Sequence, residues 1–132
     1  MTEPSPSPPE SCPSIRRLML PRDTNAVGTI FGGVILSEVD LAAAIGASEK
    51  HAGRVVTVSM DKIDFKAPVY VGDLVSFYAK TERVGRTSIT VRVDVWAQRR
   101  FGGSDMKHVT EAVVTMVAVD KDMKPIPVVP LS

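Results

Sequence analysis

The chain is 132 residues long, enough for one domain with one core and too short for two. Apolar residues make up 44% of it and the formal net charge is +1. That balance argues against disorder along the whole chain and against a broad nucleic-acid-binding face.

Met1 to Pro13 is rich in proline and serine, and we read it as a tail without fixed structure. It has neither a basic start nor an apolar stretch, so it is not a secretory signal. Cys12 is the only cysteine, so no intrachain disulfide forms and a reducing compartment fits. No apolar run approaches the length that spans a bilayer. The expectation is a cytoplasmic protein that engages neither membrane nor nucleic acid. Its one domain covers residues 14–127, with a short tail over 128–132.

Ile15 to Leu20 suits a short strand, and Pro21 to Thr29 a polar loop. Phe31 to His51 reads as the one long helix, rich in Ala, Leu and Ile and closed by Gly53. Everything after it reads as β-structure. Arg54 to Phe65 opens with Val55 and Val56, and Pro68 to Asp73 is turn material. Leu74 to Val84 alternates, and Thr87 to Gln98 alternates more cleanly, with Ile89, Val91, Val93 and Val95 on one side. Gly102 to Asp105 is a turn. Val109 to Val119 is apolar on both parities, as expected of a strand covered on both faces. The order is strand, long helix, four strands, which predicts an α+β layer of one helix on one mostly antiparallel sheet.

The helix carries the candidate chemistry. Gly32 and Gly33 lie in its first turn, where free backbone N–H groups and the helix dipole favour negative charge. Such a start can serve as an oxyanion hole, although a tight loop-to-helix junction explains the glycines at least as well. Glu38 and Asp40 are two residues apart and so lie on nearly opposite faces. Phe31, Val34, Ile35, Leu41, Ala42 and Ile45 go with Glu38. The Asp40 side is mostly small. Asp is a poor residue for a helix interior, so Asp40 invites a functional explanation. The pattern alone leaves open which carboxylate is buried.

Spaced motifs narrow the reading. Pro-Arg-Asp-Thr-Asn ends at Asn25, Ile-Phe-Gly-Gly ends at Gly33, and Asp40 follows. Gly-Arg-Val-Val-Thr-Val covers Gly53 to Val58, Pro-Val-Tyr-Val-Gly-Asp covers Pro68 to Asp73, and Val-Gly-Arg-Thr-Ser covers Val84 to Ser88. In this order they resemble the YciA-like branch of the acyl-CoA hydrolases, from Ser14 to about Pro127. The resemblance implies a hotdog fold, a long central helix wrapped by a curved, mostly antiparallel sheet. It implies hydrolysis of an acyl-CoA thioester to free acid and CoA, with no cofactor beyond the CoA of substrate and product. It implies a homodimer as the functional unit, built further into a hexamer as a trimer of dimers. Asp40 would be the general base or nucleophile, Asn25 its partner from the preceding loop, and the Gly32 N–H the group that polarises the carbonyl. Val58, Ser59, Met60, Thr87, Ser88 and Ile89 would contact CoA, and Arg86 could reach a phosphate. One departure concerns Val34, where relatives often carry Trp.

Helix geometry adds a consequence. Asp40 lies eight residues beyond Gly32, about 12 Å along the axis at ~1.5 Å per residue. Catalytic contacts need roughly 3 Å, so one carbonyl cannot touch both groups of one helix. The site is expected to be composite, with Asn25 and Gly32 from one chain and Asp40 from another.

No Gly-x-Ser-x-Gly elbow is present, and His51 and His108 are expected at element ends as surface or capping residues. No metal site is expected from one cysteine and two distant histidines. Arg99 and Arg100 read as a solvated strand end. Two alternatives stand beside the hydrolase. One is a non-catalytic acyl-CoA binding or sensing module, which would lack the carboxylate. The other is a hotdog dehydratase, which would more often use a histidine near the helix.

Overall fold

A computed structural model describes residues 7–99 and 105–131. Five strands and one long helix follow in the expected order: β1 (Ile15–Leu18), α1 (Gly32–Ser48), β2 (Arg54–Asp61), β3 (Leu74–Val84), β4 (Ser88–Gln98) and β5 (Met106–Val119). A short 3-10 turn, Pro21–Asp23, lies in the first loop. The strands form one curled antiparallel sheet in the order β1-β3-β4-β5-β2. β1 and β2 are its two edges, so the segment between them must cross the whole sheet. α1 makes that crossing and touches β3, β4, β2 and β5.

The core lies between helix and sheet. Ile35, Val39, Ala42, Ala43 and Ala47 meet Val75, Phe77, Val91, Val93 and Val114 there. Gly46 brings the two layers closest. A Cβ at this position would stand 3.1 Å from Ala79 and 3.2 Å from Val91. The buried stripe cuts across both helix faces drawn from the sequence. Phe31, Leu41 and Ile45, expected together on a bulky face, are exposed in the single chain.

Element ends differ from the sequence reading for local reasons. α1 stops at Ser48 because the N–H groups of Glu49, Lys50 and His51 turn back onto Gly46 and Ala47. β2 ends at Asp61 rather than Phe65. Lys62 has φ 60, a left-handed backbone that a strand cannot continue. Ile63 to Val69 then runs as a strap beneath the helix start. Lys66 N–H donates to Val109 O (2.7 Å), Thr110 Oγ1 donates to Asp64 O (3.0 Å), and Ile30 N–H donates to Val69 O (2.8 Å). β5 begins three residues early, at Met106. Only one of its faces is fully covered, since Val113 and Val117 remain half-buried. Most of the Gly102 to Asp105 turn, Arg100 and the first residues of the tail lie outside the described residues.

Both histidines depart from the expected surface position. His51 is buried at 2% exposure, and its Nδ1 accepts the Val129 N–H at 2.9 Å. His108 lies inside β5 with its ring stacked on Trp96, centroids 4.7 Å apart. The chain end is docked as far as Val129. Ile126 N–H donates to Ala118 O, Val128 N–H to Arg86 O and Ala52 N–H to Val129 O.

Candidate functional site

Asp40 sits mid-helix, half-buried, and its carboxylate reaches β2. Thr57 Oγ1 donates to Asp40 Oδ1 at 2.6 Å. No cation pairs with Asp40 among the described residues. Glu38 is placed differently. Arg17 donates to Glu38 Oε1 at 2.9 Å and to Asp23 Oδ1 at 2.8 Å, bridging β1, the first loop and the helix. Two carboxylates that the pattern could not separate are thus distinguished by their partners. Thr57 was missed as a functional candidate. Its only signal lay inside the Gly53 to Val58 motif, and the contact spans 17 residues.

Asn25 lies in the loop that leads into the helix start at Gly32. Asn25 Oδ1 accepts from the N–H groups of Val27 (2.9 Å) and Thr29 (3.2 Å), and its Nδ2 donates to Thr29 Oγ1 (2.8 Å). The side chain therefore folds its own loop, with Gly28 supplying the positive φ of 90 that the turn needs. One amide hydrogen of Asn25 is left for another partner. Phe31 caps the helix without a side-chain hydrogen bond. Among the described residues, no acceptor occupies the N–H groups of Gly32 or Gly33. The helix thus presents free donors at its positive end. The structure brings Asn25 and Gly32 to one end of the helix and Asp40 to the middle, facing another strand.

The segments expected to hold CoA flank one strand. Val58 is the bulge residue of β2: Thr57 pairs with Met116 and Ser59 with Thr115, and Val58 is left unpaired and 57% exposed. A bulge on an edge strand re-aims side chains and leaves backbone groups free. Met60 leans on the core. Across β5, Ile89 also pairs with Met116. The two segments therefore stand about 10 Å apart, two strand spacings. Arg86 is exposed at the tip of this turn, while Thr87 O accepts the Ala118 N–H at 2.8 Å and Ser88 O accepts the Gly85 N–H at 2.7 Å. Ile89 itself is fully buried in the core, so its side chain does not reach this surface. Ala43 of the helix is also fully buried.

Arg99 is not a solvated strand end. It pairs with the buried Asp73, donates to Pro68 O at 3.1 Å, and lies over the Tyr70 ring at 4.8 Å. It holds the Pro68 to Asp73 turn together. The sequence also missed one cluster of metal-ligating types: atoms of Asp94, His108 and Glu111 lie within 4.8 Å of one another. Arg92 pairs with both carboxylates. Burial works against the Arg92 charge, but Asp94 and Glu111 together raise its pKa above the ordinary value. A permanent guanidinium therefore already occupies both carboxylates of this group.

Comparison with known proteins identifies the family. The thioesterase superfamily profile matches residues 27–100. The acyl-CoA thioester hydrolase YciA of Salmonella typhimurium is 45% identical over 116 residues, 86% of this chain and 86% of that protein. A hexameric hotdog fold thioesterase of Campylobacter jejuni superposes with a TM-score of 0.85 at 49% identity, covering 90% of this chain and 91% of that one. An acyl-CoA hydrolase from Staphylococcus aureus, solved with butyryl coenzyme A and coenzyme A, gives 0.79 at 31% identity, covering 89% and 71%. The chain adopts the hotdog fold and belongs to the YciA-like acyl-CoA thioester hydrolases of the thioesterase superfamily.

Proposed function

We propose that the protein hydrolyses acyl-CoA thioesters to a carboxylic acid and CoA, with Asp40 as general base. The observation that carries the reading is the contrast between the two helix carboxylates. Glu38 is held in an ion pair, whereas Asp40 is half-buried, has no cation among the described residues and is oriented by Thr57. The Thr57 hydroxyl occupies Oδ1 and leaves Oδ2 for a water molecule. Oδ2 takes a proton as the water oxygen adds to the thioester carbonyl. The Gly32 N–H receives the developing oxyanion, at a donor that is free and lies on the positive helix end. Collapse breaks the carbon–sulfur bond, and the proton on Asp40 passes to the departing thiolate. A thioester needs no stronger nucleophile than this, because thiolate leaves readily.

Asp40 and Gly32 of one helix stand too far apart to share a carbonyl, so the site is completed by a second copy. Asn25 and Gly32 of one chain face Asp40 of its neighbour. Two features of the single chain support such an assembly: the exposed Phe31, Leu41 and Ile45, and the unpaired outer edge of β2. The Campylobacter jejuni relative is a hexamer, and we assign a trimer of dimers to this protein. Its CoA arm runs along Val58 to Met60 and past Thr87 and Ser88, with Arg86 at a phosphate. The relative solved with coenzyme A supports that ligand class.

The test is release of free thiol from acyl-CoA by the wild type, Asp40→Ala and Asn25→Ala. The expected loss of kcat in Asp40→Ala is about 100- to 10,000-fold, with CoA still bound. Unchanged turnover in that variant overturns the assignment. CoA binding without any turnover by the wild type would favour the binding module instead.

A further inference from the structure

His51 is a buried imidazole for which the proposed chemistry has no use. It stands between the end of α1 and the start of β2. Its Nδ1 accepts the Val129 N–H at 2.9 Å, so the ring hydrogen lies on Nε2. Nε2 is buried and has no hydrogen-bond partner among the described residues. A buried donor left unpaired costs stability. An aliphatic side chain would fill the space without that cost, but it would lack the acceptor at Nδ1. We propose that His51 is a positioning residue for the CoA-binding turn: it clasps the chain end, and the chain end fixes Arg86 where the nucleotide phosphates bind. The inference rests on the reading of Arg86 as a phosphate contact.

A short chain of bonds carries the effect. Val129 is gripped on both sides, since its N–H goes to the His51 ring and its carbonyl accepts the Ala52 N–H at 2.9 Å. One residue earlier, the Val128 N–H donates to Arg86 O at 2.8 Å, and the Val128 side chain packs on the core. The neighbouring Thr87 O is held from another side, by the Ala118 N–H of β5. Loss of the clasp therefore frees the backbone at Arg86 and leaves the pairing of β4 with β5 in place. The Arg86 side chain is exposed, so its aim depends on that backbone. A long side chain loses rotamer freedom when it meets a phosphate, and a fixed backbone lowers what binding must still order. Pro125, Pro127 and Pro130 stiffen the chain end, which transmits its position instead of bending. Gly53 makes room for the ring, because a Cβ there would stand 2.9 Å from Nε2.

The experiment measures kcat and KM for one acyl group carried on CoA and on pantetheine, which lacks the nucleotide phosphates. The chains compared are the wild type, His51→Leu, His51→Asn and Arg86→Ala, with Kd for free CoA in parallel. Leu keeps only the bulk of the ring, whereas Asn places an oxygen acceptor where Nδ1 stood. His51→Leu should raise KM for acyl-CoA and Kd for CoA by about 3- to 10-fold, the value of one hydrogen bond. It should keep kcat and leave acyl-pantetheine unchanged, and His51→Asn should restore the wild-type values. In a chain lacking residues 128–132, His51→Leu should change KM no further, because the two act through one connection. Thermal unfolding confirms that each variant is folded. An equal rise of KM on both carriers, a fall of kcat alone, no rescue by Asn, or a full further loss in the shortened chain overturns the proposal. Arg86→Ala that discriminates between the carriers beside an inert His51→Leu overturns the clasp alone. An inert Arg86→Ala beside a discriminating His51→Leu overturns the Arg86 contact and leaves His51 as the holder of the turn. Absence of turnover on either carrier in the wild type overturns the hydrolase reading, and Kd for CoA then decides the clasp.

Discussion

Glu38 and Asp40 show how the surroundings of a residue, more than its type, decide its use. Both are carboxylates on one apolar helix. Arg17 reaches Glu38 from 21 positions away and Thr57 reaches Asp40 from 17, so no local pattern could assign them. The structure predicts opposite outcomes for isosteric changes. Asp40→Asn should abolish turnover with little effect on folding, whereas Glu38→Gln should keep turnover and lower stability by about 1–3 kcal/mol. Steady-state kinetics with denaturant titration separates the two. Thr57→Val should cost about tenfold in kcat, the value of one hydrogen bond to a charged group, and Thr57→Ser should restore it. Equal activity in Thr57→Val would remove Thr57 from the site. The motif marked Asn25 as a candidate, but its hold on the loop through Val27 and Thr29 was not legible. Its replacement should therefore raise KM as well as lower kcat.

The alternating strands were the easiest elements to read. β3 and β4 have one face on the helix, and the period of two shows in Val75 and Phe77 and again from Ile89 to Val95. The helix was legible as a helix but not in its orientation. It is apolar nearly all round, so periodicity could not show that Ile35, Val39, Ala42 and Gly46 meet the sheet while Leu41 and Ile45 do not. Gly46 tests that orientation. Gly46→Val should destabilise by about 1–3 kcal/mol through overpacking against Ala79 and Val91, read as a shift in the denaturation midpoint. β2 was read too long because the left-handed backbone at Lys62 has no sequence signal. The docked chain end was missed for a similar reason. Its ties to Arg86 and Ala52 are backbone bonds, and the Val129 N–H donates to the His51 ring, all in an irregular segment full of proline. Deleting residues 128–132 should lower stability by about 1–3 kcal/mol. It should also weaken CoA binding, because the turn that carries Arg86 loses its support.

At the scale of the whole molecule, the proposed function divides the site of a single chain into two halves that do not meet. Free N–H groups stand at the helix start, and an oriented carboxylate stands about 12 Å along it. On the proposed reading, a second copy docks on the exposed apolar residues of the helix and the open edge of β2 and brings unlike halves together. Leu41→Lys with Ile45→Glu should therefore yield smaller assemblies in sedimentation and abolish turnover. The most direct measurement is complementation between two defective chains. Asp40→Ala and Asn25→Ala are each prepared alone and then mixed by co-expression with distinguishable tags. In a dimer with two composite sites, each unlike pair rebuilds one intact site and leaves the other doubly defective. Random pairing should then restore about a quarter of wild-type thiol release. Mixed assemblies that stay as inactive as either parent would contradict the account, because Asp40 and Asn25 would then have to act within the same chain.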